Sequence, residues 1–218
     1  MATNRYVQLK NAGQLMEVEM ETAKILLPGG AIAIGTKDLN ACSGIAILGE
    51  AIILAHIAPL PPHPLGTSQQ RLIVQGEGEA HFETVMNMVQ ELYNTHKSRF
   101  PSQSTSWAIF GRFEGKIAMP EKLAIAKRRF QIMGLPMKFA QYDIAKASER
   151  TNPAVGTVIG VLQNRKTYLY VEDQGRDIST SAIDHIRLEQ QALRRRHHPV
   201  QAKAYVPNGH DVLVDKEF

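Results

Sequence analysis

Three side chains in the first quarter of the chain have the types and order of a cysteine hydrolase site. Cys42 is the only cysteine among the 218 residues, Thr36 lies six positions before it and His56 lies fourteen after it. A thiol that gives its proton to an imidazole is a strong nucleophile, and a hydroxyl on the other ring nitrogen can orient that imidazole. The alternative is a thiol that only packs, because free cysteine is among the most buried residue types.

The position of Cys42 in the sequence favours a catalytic role over a purely structural role in the core. It lies in the polar turn 36–44, at the edge of an apolar run and not inside one. A turn of this kind can present the sulfur at the rim of a sheet. We expect the backbone amides of Cys42 and Ser43 to point at one place and to stabilise an oxyanion there, a contribution of about 3 kcal/mol per donor.

A predicted hairpin brings the imidazole to the thiol. The apolar runs 45–48 and 52–55 are separated by a Gly-Glu turn, and His56 closes the second run. Antiparallel pairing of two such strands places the start of the first beside the end of the second. We therefore expect Cys42 and His56 to be neighbours, with the imidazole able to hold the thiol as a thiolate.

The elements around this hairpin follow from apolar periodicity. Alternating apolar and acidic residues over 17–21 predict a strand with one wet face, and the run 31–34 predicts a buried strand. Helical spacing predicts helices from Phe82 to His96 and from Pro120 to Met133. The remaining elements are predicted further along the chain: strands at 107–110, 137–142, 155–162 and 167–171, a last helix from Ser181, and an apolar run at 212–214 in the tail.

These features together resemble the CheD family of chemoreceptor glutamine deamidases. The resemblance begins with the threonine, cysteine and histidine in this order and continues in the second half. Its motifs are Thr36-x5-Cys42, His56-Ile57-Ala58-Pro59, Ala108-Ile109-Phe110-Gly111, Met133-Gly134-Leu135-Pro136, Asp143, and the hairpin Lys166 to Val171 through Gly175-Arg176. It covers roughly residues 14 to 176. Deamidating toxins of the cytotoxic necrotising factor type share the fold and the cysteine-histidine site.

The resemblance implies an α+β fold with a central β-sandwich of mixed sheets flanked by helices. It assigns a hydrolase domain to residues 1–176 and leaves 177–218 as a C-terminal helix and tail. Two departures concern the site and the substrate surface. CheD proteins usually have Gly-Ser before the cysteine, where this chain has Asn40-Ala41, and their glycine-rich turn is replaced here by Ala145 to Gly156. A chemoreceptor substrate is therefore not implied.

Composition narrows the class of protein. The chain is 44% hydrophobic, which suffices for an ordinary core, and it has no apolar stretch of membrane-spanning length. A single cysteine cannot form an internal disulfide, so we expect a cytoplasmic protein. The first ten residues are polar and lack the apolar run of a signal peptide, so we expect no cleaved leader. The net charge of +4 is modest and is concentrated at Arg194, Arg195 and Arg196, which makes nucleic-acid binding unlikely.

The sequence supports a metal or cofactor site less well than it supports the cysteine-histidine site. His63 and His81, with His56, are conceivable zinc ligands, but their spacing fits no recognised signature and a proline-rich segment separates them. Laccase-like cysteine-histidine hydrolases, which are distantly similar, do bind metal and keep that option open. We predict no cofactor and no metal.

The resulting hypothesis is a cysteine-dependent amidohydrolase that converts a protein glutamine side chain to glutamate. Cys42 is the nucleophile, His56 the base and Thr36 the group that orients the base. The alternative is a catalytically inactive, CheD-like module that binds another protein. The sequence does not specify the substrate protein, the oligomeric state, or a choice between deamidation and transfer to an amine.

Overall fold

Two β-sheets packed face to face form the centre of the molecule. The structure is a computed structural model that describes residues 4–62, 76–144, 154–164 and 166–176, all within one compact unit. The first sheet has the strand order β1-β3-β9-β10-β11. Its strands are β1 (Leu15–Glu17), β3 (Ala33–Thr36), β9 (Val158–Gln163), β10 (Lys166–Val171) and β11 (Gln174–Arg176).

The second sheet carries the predicted hairpin. Its order is β2-β5-β4-β6-β7, with β8 paired in parallel to β6. The strands are β2 (Thr22–Leu26), β4 (Ser43–Leu48), β5 (Ile52–Ile57), β6 (Thr105–Phe113), β7 (Lys116–Ile117) and β8 (Met137–Asp143). Strands β4 and β5 pair antiparallel as expected, and Gly44 lies opposite His56.

Helices cover the outer faces of both sheets. The helices are α1 (Arg5–Asn11), α2 (Glu77–Thr95) and α3 (Pro120–Ile132), and a short 3₁₀ turn spans Lys97–Arg99. Helices α2 and α3 pack on the second sheet through an apolar core that includes Phe82 and Phe130. Tyr6 of α1 packs on the first sheet. The predicted α+β sandwich flanked by helices is therefore confirmed.

The two faces of β5 belong to different cores. Ile53 and Ile57 contact the helix side, whereas Ile52 and Leu54 lie in the core between the sheets. Side chains alternate along a strand, so His56 shares the inter-sheet face with Leu54. His56 therefore faces the first sheet and not helices α2 and α3.

One predicted strand is wrong, and two predictions lie outside the described residues. The alternation over 17–21 does not continue as one strand, because β1 ends at Glu17 and the chain turns before β2 begins at Thr22. Glu21, at φ 67°, has a left-handed backbone that a strand cannot contain. The predicted C-terminal helix and tail, and His63, fall outside the described ranges. No helix within those ranges is long and apolar enough to cross a membrane.

Candidate active site

Thr36 and His56 meet across the sandwich. Thr36 ends β3 in the first sheet and His56 lies near the end of β5 in the second, and Thr36 Oγ1 is 2.7 Å from His56 Nδ1. Both side chains are buried, with residue exposures of 1% and 4%. When Nδ1 carries the ring proton it donates to Thr36 Oγ1, and Nε2 is then left as a proton acceptor.

The second nitrogen of His56 is unoccupied. Nε2 is buried and has no hydrogen-bond partner among the described residues, so no hydrogen bond joins it to Cys42. A buried polar atom without a partner is uncommon and costs stability, so its presence calls for an explanation, of which a catalytic role is one. His56 therefore presents a free acceptor on the side opposite Thr36.

Cys42 lies next to His56 on the same face of the sheet. It immediately precedes β4, and its side chain belongs to the inter-sheet core. Gly44 is paired with His56, so Cys42, two residues earlier, is a diagonal neighbour of His56. The structure thus brings all three predicted side chains to one end of the sandwich.

The resting thiol is protonated rather than held as a thiolate. Burial raises the pKa of the Cys42 thiol, and the nearby charge of Glu21 raises it further, against a backbone hydrogen bond at Asn40 and the charge of Lys122, which lower it. Burial lowers the pKa of His56 from 6.5 to about 4. Both effects have one physical cause, the loss of water around a charge. At neutral pH the pair is a neutral thiol beside a neutral imidazole, in contrast to the expected thiolate.

The loop that carries Cys42 is strained and held at several points. Asp38 and Ala41 have left-handed backbones at φ 62° and 64°, a conformation that costs about 1–2 kcal/mol for a residue such as Ala41. The Leu39 amide donates to the Gly156 carbonyl at 3.0 Å. A Cβ on Gly156 would lie 2.5 Å from the Leu39 carbonyl oxygen, so only glycine permits this approach.

Tyr142 fixes the backbone of Cys42 itself. Its hydroxyl donates to the Cys42 carbonyl at 2.6 Å. Gly111 leaves room for it, since a Cβ there would lie 3.1 Å from the Tyr142 oxygen and 2.8 Å from Ile144. The neighbouring Asp143 makes an exposed bidentate pair with Arg112 at 2.7 and 2.9 Å. Tyr142 is a residue that sequence reasoning missed, although the Gly111 motif beside it was noted.

The backbone amides of Cys42 and Ser43, the expected oxyanion donors, occupy different positions relative to strand β4. Ser43 is the first residue of β4 and pairs with Ile57 on one side and Phe110 on the other. In an antiparallel sheet the amide of such a residue is directed at one of its two neighbouring strands. The Ser43 N–H is therefore directed along the sheet, which leaves the loop amides up to Cys42 as the candidate donors.

A second polar cluster, formed by Glu21, His81 and Lys122, lies on the helix side of the same rim. Glu21 Oε2 and His81 Nε2 are in close contact without hydrogen-bond alignment, and Glu21 Oε1 accepts from the Ala58 amide at 2.9 Å. Lys122, buried at 3% exposure, donates to the Pro59 carbonyl. The sequence showed no periodic or spacing signal for this cluster.

The part of the chain that the structure describes contains no group of three or more histidine, cysteine, aspartate or glutamate side chains that could hold a metal ion. His81, one of the three conceivable zinc ligands, is instead the partner of Glu21. Comparison with known proteins adds nothing to the geometry, since no protein-family model and no curated protein matches the chain.

Proposed function

We propose that this protein is a cysteine-dependent amidohydrolase that deamidates glutamine side chains of a protein substrate. The observation that carries the proposal is the 2.7 Å contact between Thr36 and His56. It joins two buried polar side chains from different sheets and leaves the other nitrogen of His56 without a partner, on the face that Cys42 shares. The ordered motifs that resemble CheD deamidases, which extend beyond these three residues into the second half of the chain, are a further support.

The proposed reaction uses a neutral pair. Cys42 Sγ attacks the carboxamide carbon while His56 Nε2 accepts the thiol proton. His56 returns this proton to the amide nitrogen as the carbon–nitrogen bond breaks and ammonia leaves. Water then attacks the thioester, which yields glutamate and restores the thiol. Because Nδ1 donates to Thr36 in the productive tautomer, Thr36 acts through His56 and is a positioning residue.

The charges created in this step have to be stabilised at the moment of attack. Burial opposes both the thiolate and the imidazolium when each forms alone. Formed together as neighbours, they attract each other, and the low dielectric strengthens that attraction. The loop amides before β4 are the proposed donors to the tetrahedral oxyanion. We also propose a cytoplasmic location, because a single cysteine gives no sign of an oxidising compartment.

The alternative is an inactive module that binds a protein partner. The burial of Cys42 and the missing hydrogen bond to His56 favour it, since a packed thiol shows both features. The two proposals differ in whether substitution of Cys42 changes any chemistry.

Mass spectrometry of a proteome incubated with the protein decides between them. We expect new glutamine-to-glutamate sites with the wild-type protein and none with Cys42→Ser, because a hydroxyl is a far weaker nucleophile than a thiolate. A thermal melt of Cys42→Ser shows that the variant is folded. Identical glutamate sites with both proteins, or none with either, would support the inactive module.

A further inference from the structure

Lys122 is a buried cation placed at the rim that carries Cys42. It lies in the first turn of α3, is 3% exposed, and donates to the carbonyl of Pro59. Gly78 of α2 makes space for it: a Cβ there would be 3.2 Å from the Lys122 nitrogen and 2.7 Å from the Pro59 oxygen. A lysine so thoroughly buried is rare unless a partner compensates its charge.

The carbonyl that binds Lys122 belongs to the segment next to Cys42. Strand β5 ends at Ile57, which pairs with Ser43, and Ala58 and Pro59 follow. Continuing that register by one residue sets Ala58 level with Cys42. The Lys122 ammonium is therefore bound to Pro59, one residue after Ala58, the position that lies opposite Cys42.

The charges around this point have opposite effects on the sulfur. Glu21 disfavours a thiolate and Lys122 favours it. Glu21, Glu79 and Glu121 in turn favour the charged form of Lys122 against the burial that lowers its pKa. The two histidines do not add a fixed cation at the thiol, since His56 is neutral at pH 7 and His81 faces the carboxylate of Glu21.

We infer that Lys122 is a charge-stabilising residue of the site, whose buried ammonium supports the negative charge that develops on Cys42 during attack. The inference rests on the proposed function for its catalytic meaning, but the electrostatic effect on the thiol can be measured without a substrate. Its physical basis is the interaction of unlike charges away from water.

Alkylation of the single cysteine by iodoacetamide, followed across pH, tests this directly. Lys122→Gln removes the charge and keeps a donor for the Pro59 carbonyl. We expect the pH of half-maximal alkylation to rise by less than about one unit, because a charge beyond direct contact shifts a pKa less than a contacting one. Lys127→Gln removes an exposed charge from the same helix and should leave the curve in place. An unchanged curve for Lys122→Gln would overturn the inference.

Lys122→Met removes both the charge and the hydrogen bond to the Pro59 carbonyl, whereas Lys122→Gln removes only the charge. Comparing the two variants separates the electrostatic role of Lys122 from its structural role. If Lys122→Gln matches the wild type while Lys122→Met loses its cooperative melt, Lys122 is only a structural anchor and the inference is wrong. The deamidation assay is independent of this result. A shifted curve with no deamidation would overturn the proposed function alone, whereas deamidation with an unshifted curve would overturn only the role of Lys122.

Discussion

Two imidazoles lie on opposite sides of the second sheet, His56 between the sheets and His81 on helix α2, and they have different partners. His56 faces the inter-sheet core and contacts the hydroxyl of Thr36. His81 lies on the helix side and contacts the carboxylate of Glu21. A hydroxyl adds no charge, so His56 can remain neutral and accept a proton. The carboxylate beside His81 adds a negative charge, so the two imidazoles have different electrostatic surroundings.

The difference shows how burial and partner together assign a histidine its role. Burial lowers the pKa of His56 to about 4, so its nitrogen is unprotonated at the pH at which the reaction would run. His81 and Glu21 retain 11% and 21% side-chain exposure, and Glu21 also holds the Ala58 amide. We therefore assign proton transfer to His56 and support of the segment after β5 to the Glu21–His81 pair.

The largest effect should come from removing the proposed base. We expect His56→Ala to lower the rate of deamidation by about 100- to 10,000-fold, the usual contribution of a general base. The measurement is the rate of ammonia release from a glutamine substrate identified by the proteome experiment. If His56→Ala retained full activity while His81→Gln lost it, the roles assigned to the two histidines would be reversed.

The second effect is on stability as a function of pH. Folded His56 binds a proton only near pH 4, whereas in the unfolded chain it does so near 6.5. The unfolded state therefore binds more protons between these values, so the stability contributed by burying neutral His56 is complete above pH 6.5 and is lost as the pH falls toward 4. The loss should reach up to about 3 kcal/mol.

Urea unfolding of the wild type and of His56→Gln at pH 7 and pH 4.5 measures this loss. The glutamine variant has no titrating ring at this position, so its stability should fall less over the same interval. Equal falls for the two proteins would show that His56 is not the buried titrating group.

A smaller effect is expected from the positioning residue. Thr36→Val keeps the shape of the side chain but removes the acceptor of the Nδ1 proton, which disfavours the productive tautomer. We expect about a tenfold slower rate, equivalent to the loss of one hydrogen bond of about 1.4 kcal/mol. The assay is kcat for ammonia release. A loss as large as that of His56→Ala would assign Thr36 more than an orienting role.

The smallest effect on the rate belongs to the Glu21–His81 contact on the helix side. His81→Gln should change the rate less than about threefold, because it removes the partner of Glu21 and no group that touches the substrate, and it should lower the free energy of unfolding by about 1–3 kcal/mol, because buried Glu21 Oε2 loses that partner. Thermal melts and the same rate assay measure both quantities. A rate loss comparable to that of His56→Ala would end the distinction between the two histidines.

The hairpin that brings Cys42 and His56 together was predictable from the sequence. Two continuous apolar runs around a short turn permit few other arrangements, and the structure has β4 and β5 in that antiparallel pairing. The helices α2 and α3 were predictable for the same reason, since their apolar positions recur at helical spacing.

The contacts between elements distant in sequence could not be predicted in this way. Thr36 and His56 lie in different sheets, so apolar patterns do not encode their contact; it was expected from the residue types and order of the site, and the two atoms lie 2.7 Å apart. Glu21 followed the alternation of a strand, but its left-handed backbone depends on the turn into β2. Lys122 gave no signal, because helix-surface lysines are ordinarily exposed and this one is covered by α2 and the Pro59 segment.

The coupling of Cys42 to His56 is the central claim, and the rate of Cys42 alkylation at one pH on folded protein tests it most directly. We predict that His56→Ala slows alkylation relative to the wild type, because the base that accepts the thiol proton is gone, and that His81→Gln leaves the rate close to that of the wild type. Equal rates in the wild type and His56→Ala would contradict the account and favour the inactive module.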